Sequence, residues 1–83
     1  MKHYAVILDY ATDFQQGLTI YGITHTFEEA KKIFDYHIEE EKKLAEEKGW
    51  EVWVDEEDRF DASAPSYVED HSHLYIEAVI NPN

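Results

Sequence analysis

Three groups of side chains have types and spacings that could carry chemistry. The first is His71-Ser72-His73, preceded by Glu69-Asp70. Two histidines at i, i+2 on a strand share a face, and neutral imidazoles suit zinc, copper or nickel. A third ligand would have to come from Asp70, Glu69 or a distant histidine. With none identified, His71 and His73 are expected not to form a strong metal site, and the chain to carry no cofactor. The second group is Asp55-Glu56-Glu57-Asp58, with Asp61 close behind. It lacks the spacing and central glycine of an EF-hand, and it could instead imitate a row of phosphates or be a solvated loop. The third is His37 and Glu41, one helical turn apart. A catalytic acid/base pair needs a third, orienting group, so the expectation is that these two pair with each other at a rim.

Other chemistries are excluded by what is missing. The chain has no cysteine, hence no disulfide, thiolate zinc site or cysteine nucleophile. No glycine-rich phosphate loop, nucleophile elbow or Ser/His/Asp motif is present. The expectation is a protein that is not an enzyme.

The element that must position these groups is a helix over about 26–48. Thr26 followed by Glu29 makes a capping box, with the Thr26 hydroxyl accepting from the Glu29 N–H and the Glu29 carboxylate reaching the Thr26 N–H. Glu28 and Glu29 suit the positive end of the dipole, Lys48 the negative end, and Gly49 the left-handed stop. Phe27, Ala30, Ile33, Phe34, Ile38, Leu44 and Ala45 fall on one stripe, broken by His37 and Glu41. The other side is charged, with Glu28/Lys32 and Glu39/Lys43 in the favourable i, i+4 order.

Strands flank the helix. Residues 3–10 have a continuous apolar centre (Ala5, Val6, Ile7, Leu8), as in a strand paired on both sides. Residues 11–17 connect it to a second β-branched run over 18–24, with Thr12, Asp13 and Gly17 as turn chemistry. Gly22 within that run marks a bulge or a close approach by the helix. After the helix, residues 50–55 alternate, Trp50, Val52 and Val54 one way and Glu51, Trp53 and Asp55 the other. A long acidic loop is expected over 56–70, broken by Pro65 and anchored by Phe60, Tyr67 and Val68. The last strand, 73–80, turns Leu74, Ile76, Ala78 and Ile80 towards the helix.

The fold expected is a single α+β domain over 1–83 with the pattern β-β-α-β-β. Its helix lies on one face of a four-stranded sheet in the order 2-1-4-3. One helix covers one face only. The other would present Trp53, His73, Tyr75 and Val79, a surface suited to a second copy of the chain, with Trp53 and Tyr75 as its anchors.

Charge limits the partners. The chain holds 7 Lys+Arg against 19 Asp+Glu, a net charge of −12, which disfavours nucleic acid and anionic lipid. The imbalance is concentrated after the helix: residues 50–83 set Arg59 alone against 9 acids. The first residues lack a signal-peptide pattern and no run is long enough to span a bilayer, so a cytoplasmic protein is expected.

The order of elements, the stretches TFEEAKKIF, EKGWEV and SHLYIEAV, and the acidity together resemble small acidic proteins encoded by bacterial phages and mobile elements. The resemblance spans nearly the whole chain. It implies a fold and a genomic setting, and it carries over no catalytic residue. Several phage proteins of this size and acidity block host defence nucleases, some by imitating the charge of DNA. The leading expectation is therefore a homodimeric, non-enzymatic inhibitor in the host cytoplasm. It would engage a basic surface of a nucleic-acid-handling enzyme through Asp55, Glu56, Glu57, Asp58, Asp61 and Trp53. The alternatives are a homo-oligomeric scaffolding protein whose acidity serves solubility, and a histidine-based metal-binding protein.

Overall fold

The computed structural model describes residues 2–12, 15–65 and 70–80. Its elements are β1 (Lys2–Thr12), β2 (Gln15–Thr24), α1 (Phe27–Lys48), β3 (Glu51–Glu56), β4 (Arg59–Ser63) and β5 (His71–Ile80). The strands form one sheet in the order β2-β1-β5-β4-β3, every neighbouring pair antiparallel. The α+β class matches the sequence reading, but there are five strands, not four. The added strand is β4, inside the stretch expected as a loop, and it separates β3 from β5. Phe60, expected as a loop anchor, is instead a core residue with 1% of its surface exposed. Tyr67 and Val68 lie outside the described residues.

The helix ends where its caps dictate. The Thr26 hydroxyl accepts from the Glu29 N–H at 3.2 Å, while the Glu29 carboxylate takes the Thr26 hydroxyl, at 3.0 Å, instead of the Thr26 N–H. At the other end Gly49 adopts φ 68°, and bonds from Trp50 N to Ala45 O and from Gly49 N to Glu46 O close a Schellman motif. The buried stripe of α1 is Ala30, Phe34, Ile38, Glu41 and Ala45. It packs on Val6 and Leu8 of β1, Leu74 of β5, and Phe60 and Ala62 of β4. β1 is central as expected, with Ala5 to Leu8 all buried.

Two bulges reset the faces. Val6 pairs with Gly22 and Ile7 with Ile20, so Tyr21 is the extra residue of β2. Gly22 is required there by the helix as well: a Cβ would stand 2.7 Å from Ile33 Cδ1. Gly17, expected in a turn, lies within β2 opposite Tyr10. In β3 the register shifts between Val52 and Val54, making Trp53 the extra residue. The strict alternation expected for this strand therefore fails. Val54 pairs with Asp61 on the face away from the helix, and Asp55 reaches Lys42 of α1 at 3.5 Å.

His37 and Glu41 do not form the expected rim pair, because each has a better partner. Glu41 is buried and accepts a 2.5 Å hydrogen bond from the hydroxyl of Ser72, which is 1% exposed. His37 stacks flat on Tyr21, ring centroids 3.6 Å apart and 11° between planes. Burial, then the negative charges of Glu41 and Glu40, push the Tyr21 phenol up from its ordinary value. Glu41→Ala would strand the Ser72 hydroxyl in the core and is expected to destabilise the fold by about 1–3 kcal/mol. At about 4–8 °C per kcal/mol for a domain of this size, a thermal melt resolves the loss. Glu41→Gln keeps an acceptor and should lose less; equal losses in the two variants would contradict this role for the Ser72 bond.

Candidate functional site

The strands alternate sides, so pairing register decides what shares the face away from α1. Asp9 of β1, His73 of β5 and Asp61 of β4 lie directly across from one another in one row of that face. His71 stands two residues along β5 from His73, on the same side. The His71 and His73 rings are 4.6 Å apart, and His71 Nε2 lies 3.3 Å from Asp9 Oδ1. One ligand atom from each of Asp9, His71 and His73 falls within 4.8 Å of the other two. The third ligand that the sequence did not supply therefore comes from β1. Of the nearby acids first considered, Asp70 precedes β5 and Glu69 lies outside the described residues.

The rest of the row shapes this cluster. Asp61 accepts from Arg59 Nε at 3.0 Å through Oδ2, while its Oδ1 is buried without a hydrogen-bond partner among the described residues. The Arg59 guanidinium sits 5.4 Å over the Tyr75 ring. Burial lowers the His73 pKa, against the attraction of Asp61 and Asp9 and with the repulsion of His71 and Arg59. The shift favours the neutral imidazole of His73. Beside Asp9 and His71 a cleft of about 360 Å³ opens, floored by Gln16, Gly17 and Leu18.

Apolar surface continues from this cleft along β2. Leu18 pairs with Asp9, Ile20 with Ile7 and Ile23 with Ala5, which puts all three on the face away from α1. They are 59%, 53% and 64% exposed. The four residues expected to mediate self-association do share this face. His73 and Tyr75 are half-buried near its middle, Val79 is exposed near one end, and Trp53 is exposed at the far edge with its indole N–H on Ser63 Oγ. The sequence reading expected the strand β2 but did not place its apolar residues Leu18, Ile20 and Ile23 on this face, of which they are the larger part. Their signal was present in LTIYGI, but Tyr21 as an extra residue conceals which of them point away from the helix.

The acidic group is divided. Glu56 and Glu57 are exposed at the β3–β4 turn, and Asp58 is half-buried with its carbonyl accepting from Ile76 N at 2.9 Å. Asp55 turns towards α1 and Lys42, and Asp61 turns to the opposite face and Arg59. No single row of five carboxylates results.

No family model matches this chain, and no curated protein or solved structure matches it. Among the described residues, no helix is long and apolar enough to cross a membrane.

Proposed function

We propose that this chain is a protein-binding module without catalytic activity of its own, working as a pair of copies joined at the open sheet face. The observation that carries the reading is β2. It is a ten-residue edge strand without a charged side chain, in a chain of net charge −12, and it exposes Leu18, Ile20 and Ile23. The opposite edge, β3, is six residues long, bulged, and carries Glu51, Asp55 and Glu56. Charge, short length and bulges are the means by which edges are kept from pairing. β3 has all three and β2 has only the bulge, so a second copy is the occupant that fits β2. It supplies the same uncharged apolar strand and keeps the acidic edges apart. Sedimentation velocity is the test: a dimer at micromolar concentration is expected, and a monomer throughout the accessible range would contradict the reading.

A further surface is favoured by a separate observation. The β3–β4 turn exposes Glu56 and Glu57 next to Asp55 and Asp58, with Lys42 and Arg59 as nearby cations. We propose that this acidic end engages a basic, nucleic-acid-binding surface of another protein, as a phage-type inhibitor of a host enzyme would in the host cytoplasm. Neutralising Asp55, Glu56, Glu57 and Asp58 to Asn and Gln is expected to slow association with such a partner and flatten its salt dependence. The melting temperature should hold or rise. Unchanged binding would leave the acidity a matter of solubility and favour a scaffolding role.

A further inference from the structure

The structure assigns Asp9, His71 and His73 as a binding site for a divalent first-row transition ion such as Zn²⁺, on the same open face as the proposed pairing surface, with Leu18 bordering both. Three strand-borne ligands from two adjacent strands make the set. β1 supplies a carboxylate oxygen and β5 two imidazole nitrogens, a donor combination that suits Zn²⁺ and its neighbours and disfavours Ca²⁺ and Mg²⁺.

Distances agree with this assignment. Two ligands each about 2.05 Å from a tetrahedral ion lie roughly 3.3 Å apart, and Asp9 Oδ1 and His71 Nε2 are separated by 3.3 Å. The ion would sit between these two atoms in place of their direct contact. His73 lies within the 4.8 Å span of the cluster and needs only a side-chain adjustment to complete it. The strands themselves are fixed by the β1–β5 ladder, which runs unbroken from Lys2 to Ala11.

Two observations outside the ligand set point the same way. Asp61, directly across from His73, holds a buried carboxylate oxygen that has no hydrogen-bond partner among the described residues. Metal-bound histidines characteristically donate their second N–H to such an acceptor. The cleft lined by Asp9, Gln16, Gly17, Leu18 and His71 leaves space on the solvent side for a water as fourth ligand. Three protein ligands and one open position define an accessible site, unlike the closed four-ligand sites that serve only to hold a fold together. Among the described residues, Asp61 and Arg59 from β4 and Tyr75 from β5 share this face, and Tyr10 borders the cleft.

The test is titration of untagged, chelator-treated full-length protein with Zn²⁺ by calorimetry, and with Co²⁺ by visible absorption. One ion per chain at micromolar free metal is expected, with Co²⁺ bands of a low-coordinate nitrogen/oxygen site. Asp9→Asn and His71→Gln should each weaken binding at least tenfold (about 1.4 kcal/mol) while far-ultraviolet dichroism and melting stay near wild type. His25→Gln serves as the control, since its ring lies 4.9 Å from that of His3, tilted by 50°, in a separate histidine pair, and it should leave binding unchanged. Absence of stoichiometric uptake, wild-type affinity in the Asp9 or His71 variant, or loss in the His25 variant would each overturn the assignment.

Discussion

Phe60→Ala is expected to cost about 3–5 kcal/mol, enough to unfold a large part of the population. Phe60 is 1% exposed and belongs to the core cluster with Val6, Leu8, Phe34 and Leu74. It lies across the ladder from Leu74, so its ring ties β4 to β5 under the helix. Truncation would leave a cavity between α1 and two strands that cannot close in without breaking their ladder bonds. Small domains bury a modest fraction of their surface and have little stability in reserve. Urea denaturation followed by tryptophan fluorescence measures the loss. Tyr36→Ala is the comparison, since Tyr36 is 81% exposed and its truncation should stay within about 0.5 kcal/mol. A similarly small effect at Phe60 would mean that the segment is the loop its sequence suggests.

Ile20→Lys is expected to separate the dimer without unfolding the chain. In one copy Ile20 is already 53% exposed, so the lysine can reach water and stability should change little. In the proposed pair the same position would be buried, and an unpaired ammonium there would cost about 3 kcal/mol or more, roughly a hundredfold in dissociation constant. Because the chain carries a net −12, the added positive charge reduces overall repulsion between copies. Dissociation would therefore report the lost apolar contact. Trp53→Glu locates the interface further. Trp53 lies on β3, four strands from β2, a distance of about 19 Å at the usual strand spacing. An interface centred on β2 tolerates that change, whereas one spread over the whole face does not. A dimer that survives Ile20→Lys would contradict the proposed interface.

Local signals made some of this fold legible. The capping box at Thr26 and Glu29 and the glycine at position 49 delimit α1 because each acts within a few residues of itself. The unbroken apolar centre of β1 likewise announced a strand paired on both sides. β4 was concealed because RFDAS offers only Phe60 and Ala62 as inward positions, and its turn at Glu57 and Asp58 has none of the usual glycine or asparagine. Gly22 signalled the irregularity in β2 but not which residue is extra, and β3 carried no such signal, since one extra residue at Tyr21 or Trp53 leaves composition unchanged while exchanging the faces.

The candidate sites divide along the same line. His71 and His73 were visible as neighbours, but Asp9 is 62 residues from His71 and meets it only through the register of β1 with β5. Glu41 was noticed as a break in an apolar stripe. Its burial depends on Ser72, whose inward position also follows from that register.

Dilution followed by methyl NMR tests the central claim, that the open face at β2 is where two copies meet. Spectra recorded from millimolar to low micromolar concentration should show the Leu18, Ile20 and Ile23 methyls shifting together with one dissociation constant. Ile33 and Ile38, on the helix side, should hold still. Shifts confined to the helix, or no concentration dependence at β2, would contradict the account.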